Sequence, residues 1–470
     1  MEIEFLKNKV RSVFPVHRFR QVNRVNITSV LVLCLAVFIF LLVPPAVRKV
    51  TVNDTRLGPV TIAVPRSTET SGFAIILAAD PRAVGARRMR ASLLSRNLSV
   101  AVLPVDAVLS SLETSSNAPC VYLAGLLETF SQAGQKAVGD SHYHWPVVIG
   151  LGTGSGLAYI AAAQSPPNTI GPTVSVGFKA EYATHEPFCA GAPFTAMPVG
   201  FRYSALPRSP PNWLAFGNSG QSAQIREFAP NSTVIGLSDS GGASDQAEMI
   251  ADMTVQALSA DASGQDQIPV EELPAVSART LVIFYSGDGG WRDIDKKISE
   301  YLNLNGVAVL GVDSLRYFWQ QKSPGKVGSD LEKLIATYRT KWGVKRVALV
   351  GFSIGAGVLP FAWNTISHST QNNVDLIAML SLDPKASFQI SVSGYLGWQS
   401  ASDMAVGPAA ASLPHEKVLC FYGADEKQAG ESGCLLKVMR GATLIERPGG
   451  HHFDGNYIPI AQAILRRLSK

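Results

Sequence analysis

Short apolar runs alternate with longer helical stretches along the second half of the chain. The runs are rich in β-branched and aromatic residues, which is typical of strands in a parallel sheet covered by helices. They predict strands at 281–285, 307–312, 346–350, 376–382, 418–422 and 443–447. The pattern therefore indicates an α/β fold.

The first half repeats this pattern and parts of the sequence itself. Residues 100–106, VAVLPVD, align with residues 307–313, VAVLGVD. Residues 150–156, GLGTGSG, align in the same way with residues 351–357, GFSIGAG. Two matches in the same order at nearly the same offset favour an internal duplication. The chain is thus predicted to contain one fold twice.

A polar segment with proline punctuation separates the two halves. Residues 259–276 have the composition of a linker. They divide the chain into a first domain at 55–258 and a second domain at 277–470.

The beginning of the chain has a different character. Residues 25–47 contain no charged side chain, and about 20 apolar residues suffice to cross a bilayer as a helix. Residues 1–24 hold six Lys or Arg against two Glu. The sequence therefore predicts a basic cytoplasmic tail at 1–24, a transmembrane or signal-anchor helix at 25–47, and translocation of the rest. Whether the anchor is cleaved stays open.

Apart from the basic tail, the positive and negative charges of the chain are nearly balanced. The chain of 470 residues has 41 Lys and Arg against 36 Asp and Glu, a net charge of +5. Most of this excess belongs to residues 1–24, so the rest is nearly neutral and no nucleic-acid partner is expected.

Four cysteines follow the apolar segment, two in each half, which suits an oxidising compartment. Cys420 and Cys434 are predicted to form a disulfide. Whether Cys120 and Cys189 pair stays open.

One motif in the second half predicts a catalytic residue. A predicted strand leads into Gly351, Phe352, Ser353, Ile354 and Gly355, followed by a helix. This G-x-S-x-G arrangement is typical of the nucleophile elbow of α/β-hydrolases, in which a serine sits on a strained turn between strand and helix. Ser353 is the predicted nucleophile. Gly152 stands at the aligned position in the first half, which is therefore predicted to be a degenerate α/β-hydrolase-like domain.

A serine nucleophile needs a base and an orienting acid, and these follow in the order Ser, Asp, His in α/β-hydrolases. Asp425 comes directly after the strand 418–422 and is the predicted acid, preferred over Glu426 and Asp383. His451 comes after the strand 443–447 and is the predicted base, preferred over the adjacent His452.

The oxyanion of an acyl-transfer reaction needs two backbone donors. One is predicted at Ile354, directly after the nucleophile, and the other at Gly287 or Asp288, in the glycine-rich loop after the first strand of the second half. No metal-ligand spacing is visible, so we expect catalysis without a metal or other cofactor.

Four motifs in the second half resemble the VirJ/AcvB family of bacterial virulence proteins. They are YSGDGGW at 285–291, DSLRYFW at 313–319, GFSIG at 351–355 and GGHHFD at 449–454. The duplicated layout behind a membrane segment resembles the longer AcvB type, also called AtvA.

This resemblance implies a periplasmic serine hydrolase, held at the inner membrane, that removes lysine from lysyl-phosphatidylglycerol and regenerates phosphatidylglycerol. It also implies links to acid tolerance, virulence and type IV secretion components. The lysyl group carries two amines, so an acidic pocket is expected, with Asp288, Asp383 and Glu426 as candidates.

Two other functions stay open on the sequence. In one, both halves are non-catalytic binding modules that assist type IV secretion. In the other, the second half is a general esterase or peptidase.

Overall fold

The computed structural model describes residues 47–469 except for residues 68, 114–118, 190, 219, 229–233, 238–241, 261–267 and 392–402. The predicted tail at 1–24 and, apart from Val47, the predicted anchor at 25–47 lie outside the described residues. Among the helices that are described, none combines the length and the apolar character needed to cross a bilayer.

A mixed sheet forms the centre of the first half. Within the described residues it contains eight strands in the order β1-β2-β4-β3-β5-β6-β10-β11, and a separate small sheet has the order β7-β9-β8. The strands are β1 Arg48–Asp54, β2 Gly58–Val64, β3 Gly72–Ala78, β4 Leu98–Pro104, β5 Val147–Leu151, β6 Thr173–Val176, β7 Glu181–Tyr182, β8 Phe194–Ala196, β9 Phe201–Tyr203, β10 Trp213–Gly217 and β11 Val234–Gly236.

A second sheet forms the centre of the second half. Its described strands follow the order β12-β14-β13-β15-β16-β19-β20, and β17 pairs with β18 outside it. The strands are β12 Val270–Leu273, β13 Thr280–Tyr285, β14 Ala308–Val312, β15 Arg346–Phe352, β16 Val374–Leu380, β17 Lys385–Ala386, β18 Met404–Ala405, β19 Val418–Gly423 and β20 Thr443–Arg447.

Helices connect the strands and cover both sheets. The described α-helices of the first half are Val84–Ser95, Val105–Glu113, Leu123–Val138, Ser155–Gln164, Ser222–Phe228 and Ala243–Ala260. Those of the second half are Ile294–Leu304, Ser314–Tyr317, Pro324–Trp342, Ile354–Trp363, His368–Gln371, Val406–Ala410, Ala424–Ala429 and Ile458–Leu468.

The central strands are buried on both faces, which is why they are almost continuously apolar. In β13, Leu281, Ile283 and Tyr285 belong to one core cluster, whereas Val282 and Phe284 belong to the cluster on the opposite face. The two-residue period of a strand produces this division.

The two sheets have equivalent topologies. In the first, β4, β3, β5, β6, β10 and β11 are parallel neighbours, and β2 joins β4 in antiparallel orientation. In the second, β14, β13, β15, β16, β19 and β20 are parallel neighbours, and β12 joins β14 in antiparallel orientation. This shared order is that of the α/β-hydrolase class, which agrees with the internal duplication read from the sequence.

The aligned glycine-rich turns also have the same backbone shape. Ser353 has φ of 54°, and Gly152, its counterpart in the first half, has φ of 56°. The first half therefore keeps the turn of a nucleophile elbow without the nucleophile.

The predicted linker, 259–276, includes a strand of the second sheet, so its predicted extent is wrong. Val270–Leu273 is a strand rather than linker, and it forms an antiparallel ladder with β14. Glu272 of this strand accepts hydrogen bonds from Tyr338 and Lys341, at 2.8 Å from the Tyr338 hydroxyl. The segment is therefore part of the second sheet.

The two halves pack against each other within one unit, residues 49–470. Trp319 of the second half is buried, and its ring lies 5.0 Å from that of Tyr143 in the first half. Its indole N–H donates to the Asp140 carbonyl at 2.9 Å, and Lys136 donates to the Trp319 carbonyl.

Candidate active site

Ser353 lies at the turn between β15 and the helix Ile354–Trp363. Its φ of 54° and ψ of −117° are unusual for a residue with a side chain, and such strain marks functional turns. The turn is tight because Gly355 passes β13: a Cβ built on Gly355 would lie 2.2 Å from the Tyr285 carbonyl oxygen. The Ser353 side chain remains partly exposed. These are the features of a nucleophile elbow.

His451 lies beside this elbow. Its ring centroid is 5.2 Å from that of Phe352, the residue before the nucleophile. Its Nδ1 lies 2.9 Å from a carboxylate oxygen, Oε1 of Glu426. This contact leaves Nε2 as the nitrogen that can accept a proton from the serine. The structure thus gives His451 the partner that a catalytic base needs.

The acid at this position is Glu426, and the prediction of Asp425 is wrong. Asp425 is exposed, and its backbone N–H donates to the Gly449 carbonyl at 3.1 Å. Glu426 is buried, with a side chain 9% exposed, and its carboxylate holds the His451 ring. The chain order is therefore Ser, Glu, His, which α/β-hydrolases also use.

Local structure explains why Glu426 faces inward. Strand β19 runs through Gly423, and the following helix begins at Ala424. The Glu426 side chain folds back over the helix start, where Oε2 accepts the Gly423 N–H at 2.7 Å. A glutamate in the first turn is favourable at a helix N-terminus, because it pairs with backbone donors there.

Ser381, the residue after β16, fixes both members of the His451–Glu426 pair. It is fully buried with φ of 48°. Its hydroxyl lies 2.9 Å from the His451 carbonyl oxygen and 3.3 Å from Oε2 of Glu426. The strands β15, β16 and β19 are parallel, so the turns that carry Ser353, Ser381 and Glu426 meet at one edge of the sheet.

These contacts shift the pKa values of the pair in opposite directions. Burial raises the pKa of Glu426, but hydrogen bonds from His451, Gly423 and Ser381 outweigh it, and the pKa lies below its ordinary value. Burial lowers the pKa of His451, but the Glu426 hydrogen bond and nearby carboxylates outweigh it, and the pKa lies above its ordinary value. The glutamate is thus held ionised beside an imidazole that readily takes a proton.

His452 has a different environment. The residue has exposed surface, but partial desolvation of its ring, together with the charge of the neighbouring His451, lowers its pKa. Its ring centroid lies 5.3 Å from that of Phe352, and the carboxylate of Glu426 is bonded to His451. The geometry favours His451 as the base.

Two further carboxylates act on His451 electrostatically. The charges of Asp383 and Asp288 both raise the pKa of the His451 imidazole. Desolvation raises the pKa of Asp383 to about 6. The charge of His451 opposes this shift, and the charges of Glu426, Glu431 and Asp288 add to it. Asp288 is exposed, and Asp383 also reaches the surface, although the surrounding protein partly desolvates its carboxyl group.

Glu426 was expected to bind substrate as well, and the structure contradicts this. Its Oε1 is bonded to His451, and its Oε2 accepts from Gly423 and lies near Ser381. Since both oxygens are engaged in holding the base, Glu426 orients His451 and does not bind the substrate.

The predicted oxyanion residues adjoin the nucleophile. Ile354 is the first residue of its helix, where a backbone N–H has no partner within the helix. A Cβ built on Gly287 would lie 2.9 Å from the Phe352 ring and 3.8 Å from Cβ of Ser353. Asp288 follows on the exposed side of the same loop. The glycine-rich loop thus passes directly over the elbow.

Disulfides occur in both halves. Cys420, in β19, is joined to Cys434, as the sequence predicts, with a Cα–Cα distance of 5.7 Å. Cys120 is joined to Cys189 over a sequence separation of 69 residues. The pairing that the sequence left open therefore exists. The Cys420–Cys434 disulfide links β19, the strand that leads to Glu426, to the short helical turn Gly433–Leu435.

The influence of Asp383 on His451 gives a testable pH dependence. The base must be neutral to accept a proton, so activity falls as the pH drops through the pKa of His451. Asp383→Asn removes a negative charge that stabilises the imidazolium, which lowers this pKa. We expect the acidic limb of the pH profile of kcat/KM to move to lower pH.

The matched control is Asp425→Asn, which removes an exposed carboxylate that is not among the main causes of the shift of His451. Its acidic limb should coincide with that of the unmodified protein. An unchanged limb in Asp383→Asn would contradict the electrostatic coupling.

One protein family matches the second half of the chain, where the candidate site lies. Residues 279–470 match the model of a family described as bacterial virulence protein (VirJ). A comparison with curated proteins gives no match. The match covers the part of the chain that contains Ser353, Glu426 and His451, and these site residues support a hydrolase.

Several solved structures resemble part of the chain. MenH from S. aureus has 11% identity and a TM-score of 0.33, covering 43% of this chain and 98% of its own. Dienelactone hydrolase from Anabaena variabilis has 18% identity and a TM-score of 0.31, covering 44% and 98%. Est1E from Butyrivibrio proteoclasticus has 14% identity and a TM-score of 0.30, covering 42% and 90%. With such low scores, the fold assignment rests on the strand order and the elbow of this chain.

Proposed function

Since this chain belongs, through residues 279–470, to the VirJ family of bacterial virulence proteins, we propose that it is a serine ester hydrolase of aminoacylated phospholipids. The reaction is the hydrolysis of lysyl-phosphatidylglycerol to lysine and phosphatidylglycerol. The hydrogen bond of 2.9 Å between His451 Nδ1 and Glu426, beside an elbow that carries Ser353, is the observation that supports a hydrolase most directly.

The chemistry follows from these three side chains. Oγ of Ser353 attacks the ester carbonyl carbon while Nε2 of His451 accepts the hydroxyl proton. The backbone donors at Ile354 and in the 286–291 loop stabilise the oxyanion. The ester bond then breaks, and His451 returns the proton to the departing glycerol oxygen of phosphatidylglycerol. A water molecule cleaves the lysyl-enzyme by the same steps, and lysine leaves.

The charge around the site supports an aminoacyl group as the substrate. A lysyl ester carries two amines that are cationic near neutral pH. Asp383 and Asp288 are exposed carboxylates within electrostatic reach of His451. An ammonium group placed beside them is stabilised by their negative charges, whereas a neutral acyl group gains nothing from them. This difference favours aminoacyl over fatty acyl esters.

The proposed location is the periplasmic face of the inner membrane. An apolar segment at 25–47 behind a basic tail would hold the chain there and keep the site near its lipid. The two disulfides, Cys120–Cys189 and Cys420–Cys434, suit an oxidising compartment. In this location the enzyme would adjust the charge of membrane lipids, and with it acid tolerance and virulence.

Turnover of defined lipid vesicles tests the proposal. The full chain is incubated with phosphatidylglycerol vesicles that contain lysyl-phosphatidylglycerol, and released lysine is measured. A neutral acyl ester of similar leaving group is the comparison. We expect the lysyl lipid to be cleaved with a kcat/KM at least about tenfold higher, as a single favourable charge contact predicts.

Asp383→Asn tests recognition of the amine. It should reduce the preference for the lysyl lipid over the neutral ester. Equal turnover of both esters would indicate a general esterase. No hydrolysis of either ester would leave the non-catalytic role in type IV secretion as the better explanation.

A further inference from the structure

The loop that carries the predicted oxyanion donors is held from the first half of the chain. This loop, residues 286–292, follows β13 and touches the elbow through Gly287. It ends at Arg292, whose guanidinium reaches a carboxylate of the first half. Nη1 of Arg292 lies 2.9 Å and 2.8 Å from the two carboxylate oxygens of Glu128, in the helix Leu123–Val138. The same nitrogen lies 3.2 Å from the Thr169 hydroxyl.

This ion pair is largely removed from water. The side chain of Glu128 is 7% exposed and that of Arg292 is 22% exposed. Exposed ion pairs contribute little, but a buried pair that loses one partner leaves a charge that neither water nor protein satisfies. The contact therefore constrains where Arg292 can lie.

The position of Arg292 in turn determines the position of the loop backbone. A Cβ built on Gly289 would lie 2.6 Å from Nη2 of Arg292, so the guanidinium packs directly against the loop. The first half also contacts the residue before Arg292, because the Asn168 side chain donates to the Trp291 carbonyl at 3.4 Å. Two adjacent residues of the loop are thus held by the first half.

We propose that Glu128 is a positioning residue for the oxyanion loop of the second half. The inference rests on the proposed serine hydrolase function and assigns a role to the first half, which has Gly152 in place of a nucleophile. In this role the first half supplies no reacting group. It fixes the loop donors relative to Ser353, and oxyanion stabilisation depends on such preorganisation.

The experiment measures phosphonylation of Ser353 by a fluorophosphonate, using the full chain. In this reaction Oγ attacks phosphorus, fluoride leaves, and His451 takes the proton, while the oxyanion donors bind the phosphoryl oxygen. The labelling rate therefore depends on where the loop lies, and it can be measured without knowing the natural substrate. Saturation kinetics separate the maximal labelling rate from the affinity for the probe.

Two variants remove the ion pair in different ways. Glu128→Gln keeps the shape but not the charge. The double variant Glu128→Met with Arg292→Met replaces the pair by apolar side chains of similar volume, which buried pairs often tolerate without loss of stability. For both we expect a maximal rate about 10 to 100 times lower, with probe affinity unchanged, because small displacements of catalytic groups have effects of this size.

Lys136→Met is the matched control, because it removes a contact between the halves at Trp319 and not at the loop. It should label at the rate of the unmodified chain. Thermal unfolding of each variant shows whether it is folded.

The outcomes separate the two proposals. Slow labelling of both ion-pair variants, with Lys136→Met unaffected, supports the positioning role. The positioning role is overturned if the folded double variant is labelled as fast as the unmodified chain. It is also overturned if Lys136→Met slows labelling as much as the ion-pair variants do. If the unmodified chain is not labelled, or Ser353→Ala is labelled equally, the serine hydrolase function itself fails.

Discussion

Replacing Glu426 by glutamine should lower kcat about 10⁴-fold, the size of effect seen when the acid of a Ser-His-Asp triad is neutralised. The Glu426 carboxylate accepts from Nδ1 of His451 at 2.9 Å and so keeps Nε2 free to take the serine proton. A glutamine amide can donate to Nδ1 instead. The proton then resides on Nε2, and the imidazole can no longer act as the base.

Asp425→Asn is the matched substitution at the neighbouring position. Asp425 is exposed, and its bond to Gly449 uses the backbone N–H, which asparagine keeps. We expect kcat within about threefold of the unmodified protein, as for a surface substitution. Steady-state hydrolysis of the best ester substrate gives both values. A large loss in Asp425→Asn with a small one in Glu426→Gln would reverse the assignment of the acid.

The identity of the acid could be predicted only in part from the sequence. The sequence placed a carboxylate at the end of β19 correctly, because parallel strands carry their functional residues at this edge. It could not distinguish Asp425 from Glu426. The choice depends on the residue at which the strand ends and the helix begins, and Gly423 at the helix start gives no Ser or Thr capping signal.

The sheet itself was largely predictable. The observed strands β13 to β16, β19 and β20 agree with the six predicted runs to within two residues at each end. Apart from β20, which is partly exposed, these strands are almost entirely buried, so their apolar character is strong enough to be read locally. Strand β12 was missed, because Val270–Leu273 is short, contains two glutamates and lies at the edge of the sheet.

Contacts between the halves were not predictable from local patterns. Glu128 and Arg292 are separated by 164 residues, and neither stands in a recognisable motif with the other. Their pairing depends on how two complete folds dock. The same holds for Ser381, which meets His451 and Glu426 only because three strand ends converge.

Replacing Ser353 by alanine should abolish hydrolysis, with a loss of about 10⁵-fold or more in kcat, because no other group can form the acyl intermediate. Covalent labelling by a fluorophosphonate should disappear as well. Ser412→Ala, at an exposed serine of the same half, is the control and should retain both activities. In cells, lysyl-phosphatidylglycerol should accumulate when Ser353→Ala replaces the active chain.

The backbone of the elbow predicts a further difference between two inactive variants. Ser353 has φ of 54°, which an alanine tolerates poorly and a glycine adopts freely, as Gly152 does at 56° in the first half. Ser353→Gly should therefore be inactive but more stable than Ser353→Ala by about 1 kcal/mol in its free energy of unfolding, measured with urea. Since neither variant has a nucleophile, the comparison isolates the strain at the turn from the chemistry. Equal stability of the two variants would show that the strain is relieved elsewhere in the fold, whereas hydrolysis by either would exclude Ser353 as the nucleophile.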